Sequence, residues 1–122
     1  MLQMHVPSLR RLGPTRQAVR DELHGRDYAD QHITVVETVV AELLGAAYES
    51  RAQSPIVITV ERFALLISVR VRCNGPVDIR DEPFHLRERV LHAFTLGFGS
   101  RRNSDGTIDL WAEVPRARPG NP

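Results

Sequence analysis

A long segment with helical periodicity constrains the fold of this chain more than any other feature. Between Asp30 and Ser50, apolar residues recur at intervals of three and four, which places them in one broad stripe along a helix. The β-branched run from Ile33 to Val36 is typical of a strand, but the length of the segment and its continuation AELLGAA favour a helix. Because so broad an apolar stripe must be covered by other elements, this helix predicts the centre of a core. The stripe comprises Ile33, Val36, Val40, Leu43, Leu44 and Ala47.

The remaining segments predict a sheet and two further helices. Alternation and turn signals indicate strands, Pro14 and Gly25 bracket a first helix, and Asp105-Gly106 is a good hairpin turn. The resulting order β-α-α-β-β-α-β-β predicts an α+β two-layer sandwich, with three helices on one face of a mixed, mostly antiparallel sheet. The predicted elements are strands 2–6, 56–60, 64–72, 97–102 and 107–114 and helices 15–25, 30–50 and 83–97.

Two of these elements indicate which side chains face the core. Alternation in the third strand predicts that Leu65, Ile67, Val69 and Val71 are buried. Spacing in the last helix predicts the same for its apolar positions, which are Leu86, Val90, Leu91 and Phe94.

Composition limits the class of protein. With 122 residues, of which 42% are hydrophobic, the chain fits one domain over residues 1–115, and the Pro/Gly-rich residues 116–122 are expected to be a disordered tail. A net charge of +1 gives no general attraction to nucleic acid. No apolar run reaches the length of a membrane span, and the N-terminus lacks a signal-peptide pattern. A single cysteine excludes an internal disulfide, so we expect a soluble, cytoplasmic protein.

Candidate reactive residues are few. The five histidines, His5, His24, His32, His85 and His92, show no metal-ligand spacing, so we expect solvated side chains and no metal site. Cys73 at a strand end is more typical of a small buried residue than of a nucleophile, whose partners only the fold could supply. Glu42 lies beside the apolar stripe, where it either borders the packed face or, if partly buried, acts as a base.

Three stretches, read in order, resemble the histidine-kinase-like ATPase domain of the GHKL superfamily, in the form found in the small anti-sigma serine kinases of bacteria. They are ETVVAELLGAA, the hairpin ending in VRCNGP, and RVLHAFTLGFGSRRNSDGTIDLWAEVP. The last is the most specific, because Phe98-Gly99, Arg101-Arg102, Asp105-Gly106 and Leu110–Pro115 follow the pattern of the family's closing hairpin. The resemblance covers nearly the whole chain and implies the Bergerat-like fold of that superfamily.

The same resemblance implies that the nucleotide motifs are degenerate. Where the family carries a glutamate base and, four residues later, an asparagine for Mg²⁺, this chain has Glu42 and Ala46, and a methyl group cannot bind the cation. Where the family's aspartate accepts a hydrogen bond from adenine, Cys73 stands, followed by Asn74 and Gly75 as a remnant of the nucleotide turn. The family's phosphate-binding glycines are absent from the start of the third helix, which reads Phe84-His85-Leu86-Arg87. ATP and Mg²⁺, the family's cofactors, are therefore expected to be lost.

The resemblance implies a non-catalytic, anti-sigma-factor-like regulator of a partner-switching system. Its partner would be a sigma factor or an STAS-type anti-anti-sigma protein, with neither nucleic acid nor membrane bound directly. Members commonly dimerise through the N-terminal part of the domain, so a homodimer is a further expectation. Two alternatives stay open: an active serine/threonine kinase that binds ATP weakly with Glu42 as base, and a pocket retuned for another small ligand, lined by Cys73, Phe84 and His85.

Overall fold

A computed structural model describes residues 1–75 and 82–116 of the chain, with the side chains of all of these except 82–86. The order of its elements is the predicted one. Their bounds are β1 Leu2–His5, α1 Leu12–Gly25, α2 Asp30–Glu49, β2 Gln53–Arg62, β3 Leu66–Asn74, α3 Glu82–Phe94, β4 Gly97–Arg102 and β5 Ile108–Pro115. None of the described helices is both long enough and apolar enough to cross a bilayer.

The five strands form one sheet in the order β1-β2-β3-β5-β4, and every neighbouring pair is antiparallel. The α+β class and the two layers agree with the prediction, but the described sheet contains no parallel pair and is not mixed. The connection through α3 makes β4 run parallel to β3, as a crossover predicts. Because β5 inserts between them, that parallel relation never becomes a pairing.

The helix α2 occupies the centre of the core, in contact with α1, α3, β3 and β5. All six residues of the predicted stripe have 0% exposure, which confirms the helical interpretation of the β-branched run. Val39 and Ala46 are equally buried, because neighbouring elements cover α2 well beyond one stripe. The sheet contributes alternate residues of its strands to this core, among them Ile58, Val60, Ile67, Val69, Val71, Ile108, Leu110, Ala112 and Val114.

Two predicted core residues are exposed. Leu65 is 79% exposed because β3 begins only at Leu66, which leaves the preceding residue in the turn. Phe94 is 40% exposed because it ends α3 at the rim of the core, whereas Leu91 one turn earlier is fully buried. The side chain of Leu86 lies outside the described part of the chain.

Alternation divides the sheet into a face that packs on the helices and a second face, which we call the open face. In residues 1–75 and 82–116, no helix packs against the open face. It carries Gln3 and His5 of β1, Val57, Thr59 and Glu61 of β2, Ser68, Arg70 and Arg72 of β3, Asp109, Trp111 and Glu113 of β5, and Gly97, Gly99 and Arg101 of β4.

Candidate functional site

The candidate base Glu42 on α2 forms an ion pair with Arg87 on α3. Its Oε2 accepts a hydrogen bond from Nη1 of Arg87 at 2.9 Å, and the two side chains are only 23% and 20% exposed. The second guanidinium nitrogen, Nη2, donates to Oε1 of Glu49. One arginine therefore joins α3 to two carboxylates of α2, and we call this group the Arg87 cluster.

A glycine makes this arrangement possible. Glu42, Gly45 and Glu49 are spaced by three and four residues, so they share one face of α2. A methyl group built on Gly45 would lie 2.5 Å from Cζ of Arg87, far inside van der Waals contact. The guanidinium thus lies directly against the helix backbone, in space that any other residue at position 45 would occupy.

The partners of Arg87 reinforce its positive charge. Burial acts to lower the pKa of the guanidinium, but the hydrogen bonds and charges of Glu49 and Glu42 outweigh it, and the pKa of Arg87 is raised. An arginine is charged at every physiological pH even without such help. Glu42 therefore has a positively charged partner within hydrogen-bond distance.

The two residues at the positions where the resemblance implies a metal ligand and an adenine ligand both lie in the core. Ala46 and Cys73 have 0% exposure, and Cys73 lies opposite Ile108 on the helix-facing side of β3. Burial, and secondarily the negative charge of Asp109, raises the pKa of the Cys73 thiol to about 11. A thiol with such a pKa stays protonated at neutral pH, so Cys73 is no nucleophile in this fold. This confirms the interpretation of Cys73 as a small buried side chain.

The predicted turn after β3 is present at Gly75. Its φ of +111° is a conformation that only glycine adopts without strain. Asn74 belongs to β3, and its Nδ2 donates to the backbone carbonyl of Ser54 at 3.4 Å, so its amide contacts the neighbouring strand. The loop that follows, residues 76–81, lies outside the described residues.

Three surface depressions in the described part of the chain lie away from these residues. One of about 560 Å³ lies beside Tyr48, and one of about 440 Å³ lies beside Phe94. The third, of about 450 Å³, lies on the open face beside Trp111. None of the three is lined by Glu42, Ala46, Cys73, Asn74 or Gly75.

The histidines with described side chains are dispersed. His32 shares a hydrogen bond of 2.8 Å with the backbone carbonyl of Arg116, and His92 packs edge-on against Phe98 with 4.9 Å between ring centroids. Nδ1 of His24 lies 3.8 Å from Oδ1 of Asp30. Within the described residues, no group of three or more histidine, cysteine, aspartate or glutamate side chains is arranged to hold a metal ion.

Arg87 is the residue of this site that the sequence did not reveal. In the sequence it only marked the absence of glycines at the start of α3. A usable signal existed in α2, because two glutamates flanking a glycine on one helical face offer a place for a cation from a neighbouring helix. Which of the chain's arginines fills that place depends on how α3 packs.

Comparison with models of known protein families finds none that matches this chain, and comparison with curated proteins finds no match either. The site must therefore be interpreted from its own geometry.

Proposed function

We propose that this protein is a non-catalytic regulator that acts by binding another protein, built on a degenerate ATPase domain of the anti-sigma kinase type. The observation that carries the proposal is the Arg87 cluster. In the family that the chain resembles, Glu42 would act on the water or hydroxyl that attacks ATP. Here its carboxylate is paired with an arginine, on a helix face that the guanidinium covers.

Charge argues against ATP at this place. Glu42, Glu49 and Arg87 together carry a net charge of −1, which repels a triphosphate. A magnesium ion could offset that repulsion only if oxygen ligands held it. Glu42 already accepts a hydrogen bond from Arg87, and Ala46 is buried and offers no side-chain oxygen.

The position that would bind adenine also lacks the hydrogen-bond acceptor that the family uses. The buried Cys73 thiol replaces a carboxylate, and sulfur accepts hydrogen bonds only weakly. Leaving one buried donor without a partner costs about 1–3 kcal/mol, which corresponds to roughly one to two decades in affinity. Together with the occupied glutamate and the missing metal ligand, this leads us to expect no ATP binding at cellular concentrations.

The partner class comes from the resemblance alone: a sigma factor or an STAS-type anti-anti-sigma protein in the bacterial cytoplasm. A regulator of this kind needs a stable fold and an exposed surface, and it needs no chemistry. The buried core around α2 supplies the first of these.

Isothermal titration with Mg-ATP and Mg-ADP, up to millimolar nucleotide, tests the absence of nucleotide binding. We expect no heat of binding for the wild type or for Arg87→Ala, since the variant still lacks the metal ligand and the adenine acceptor. Arg89→Ala, an exposed arginine on the same helix, is the matched control. Micromolar binding by the wild type would overturn the proposal and favour the kinase.

The protein-binding half of the proposal is tested separately. Purified sigma factors and STAS-type proteins are titrated into the chain with and without Mg-ATP. We expect binding whose affinity is independent of nucleotide. Transfer of phosphate to a serine of the STAS protein would instead establish the active kinase.

A further inference from the structure

The largest of the three surface depressions, of about 560 Å³, lies where the end of β1, the end of α2 and the start of β2 meet. Its apolar lining includes the buried side chains of Val6 and Ile56. The backbone N–H of Val6 donates to the carbonyl of Ile56 at 2.8 Å, which extends the pairing of β1 with β2 as far as the depression. The depression is therefore anchored on the sheet and on the central helix.

The lining of this depression has a net positive charge. It contains two arginines, Arg10 before α1 and Arg51 directly after α2, and one carboxylate, Glu49. The carboxylate already accepts a hydrogen bond from Arg87. Both lining arginines are exposed, and among the residues that the structure describes, neither guanidinium has a hydrogen-bond acceptor or an ion-pair partner. Two cationic groups are thus available to a ligand at this place.

The backbone of Arg51 has an unusual conformation, with a φ of +59°. Its N–H donates to the carbonyl of Tyr48 at 3.1 Å. The N–H of Ala52 donates to the carbonyl of Ala47 at 2.9 Å. These two bonds form the Schellman motif, in which the left-handed residue is usually glycine because a Cβ is unfavourable there. Arginine at this position therefore carries a cost in backbone conformation.

The helix dipole does not require an arginine at this position. A positive charge near the C-terminus of a helix is favourable, but it has the same effect from within the last turn, where the backbone is not strained. The last turn of α2 contains no basic residue. Position 51, in contrast, borders the depression. We interpret Arg51 as a residue that is retained for what its side chain binds.

Further groups of the lining suit an anion with an organic body. The hydroxyl groups of Ser8 and Ser54 both belong to it. Oγ of Ser8 accepts from the backbone N–H of Arg10 at 3.2 Å, which leaves its O–H to donate. Tyr48, 51% exposed, adds an aromatic ring. The depression is far larger than an inorganic phosphate ion, and its volume falls in the range of about 300–1,000 Å³ that is typical of sites for small organic ligands.

We infer that this depression binds a small phosphomonoester, with the phosphate group on Arg10 and Arg51 and an apolar or aromatic body on Tyr48. A phosphate monoester carries close to two negative charges at neutral pH, which match the two arginines. Guanidinium groups also bind phosphate oxygens through paired N–H donors. A carboxylate supplies only one charge, so it satisfies the pair of arginines less well.

Phenyl phosphate is a simple probe for this site, because it combines the dianion with an aromatic ring. It is titrated into ¹⁵N-labelled protein, and the Nε–H signals of the arginines are followed by NMR. We expect the signals of Arg10 and Arg51 to shift with a dissociation constant of roughly 0.1–1 mM, since both donors are exposed to water. Inorganic phosphate lacks the ring and benzoate lacks the second charge, so each should bind about fivefold more weakly or worse.

The variant Arg51→Gly separates binding from stability. It removes the guanidinium and also relieves the backbone, so it should resist urea better than the wild type while binding phenyl phosphate about tenfold more weakly. Asp27→Gly is the matched control, because Asp27 has a φ of 60° in the same motif after α1 and does not line the depression. This control should also be stabilised, and its affinity for phenyl phosphate should be unchanged.

Two further variants assign the parts of the ligand. Arg10→Gln should weaken the binding of phenyl phosphate about as much as Arg51→Gly does. Tyr48→Ala should lower the affinity for phenyl phosphate to that for inorganic phosphate and leave inorganic phosphate itself unaffected. Both side chains are exposed, so we expect both variants to fold.

The absence of a shift at both arginines, well above the expected dissociation constant, would refute the inference. Equal affinities for phenyl phosphate, inorganic phosphate and benzoate would indicate an adventitious ion only and would also refute it. An equal loss of binding in Asp27→Gly and Arg51→Gly would place the ligand elsewhere and overturn it as well.

The inference does not rest on the proposed function. Glu42, Ala46 and Cys73 do not line this depression, so binding of phenyl phosphate leaves the pseudo-ATPase proposal intact. Micromolar binding of Mg-ATP that persists in Arg51→Gly would overturn the proposed function without affecting the phosphomonoester site.

Discussion

The Arg87 cluster predicts an unusual response to the substitution Gly45→Ala. In the middle of a helix, this change normally stabilises by about 1 kcal/mol, because glycine loses more backbone entropy on folding. Here the new methyl group would overlap the guanidinium of Arg87, whose Cζ lies 2.5 Å from its position. The flexible arginine must move away, and its hydrogen bonds to Glu42 and Glu49 are then lost.

The magnitude follows from two opposing contributions. Partly exposed ion pairs contribute about 0.5–1 kcal/mol each, so losing two costs roughly 1–2 kcal/mol. In the wild type, the higher helix propensity of alanine offsets part of the stability lost with the two ion pairs of Arg87. Gly45→Ala should therefore be neutral or destabilising by up to about 1 kcal/mol. In an Arg87→Ala background there is nothing to displace, and the same change should stabilise by about 1 kcal/mol.

The assay is a double-mutant cycle from urea denaturation of the four proteins. We expect a coupling energy of about 1–2 kcal/mol between positions 45 and 87. Gly13→Ala in α1 is the control, since a methyl group there meets nothing within 4 Å. Its effect should be the same in both backgrounds. If Gly45→Ala also had the same effect in both, the guanidinium would not lie against the helix, and the argument for an occupied Glu42 would fail.

Three further outcomes follow from the same structure. Because the pKa of Cys73 is raised to about 11, its reaction with a disulfide reagent should be very slow at neutral pH in the native protein and fast in denaturant. Burial acts to raise the pKa of Asp109, but Arg72 and further hydrogen-bond donors hold it below the ordinary value. The stability it contributes is therefore present above about pH 4 and lost as pH falls further. Asp109→Asn should cost roughly 1.5–3 kcal/mol at pH 7, and the difference from wild type should vanish in acid melts. Gly75→Ala should destabilise by about 1–3 kcal/mol because of the positive φ, whereas Gly25→Ala should not; equal effects in urea denaturation would contradict the turn geometry.

Much of the fold could be predicted from local pattern. The stripe on α2 identified the central helix despite its β-branched start, and β4 has the predicted bounds. The sequence-based predictions were wrong mainly at the ends of helices and strands, where the hydrophobic pattern is weakest. The first helix begins at Leu12, three residues before the predicted start, because a proline is tolerated within the first turn of a helix. Leu65 and Phe94 fit their periodicities but lie at ends where the core no longer covers them.

The candidate site was less predictable than the fold. Glu42 was found because a carboxylate beside an apolar stripe is visible in sequence, and Gly75 because the resemblance implies a remnant of the nucleotide turn there. The pairing of Glu42 with Arg87 could not be predicted, since it joins residues 45 positions apart in the sequence. Only the packing of α3 on α2 brings them together.

The sequence by itself determined the periodicity of each element, and with it the class of fold and the alternate positions that face the core. These properties depend on neighbours within a few residues along the chain. The tertiary structure decided the insertion of β5 between β3 and β4, the occupation of Glu42 by Arg87 and the meeting of Arg10 and Arg51 at one surface depression. Each of these depends on contacts between distant segments, whose partners are selected by the geometry of packing and not by local pattern.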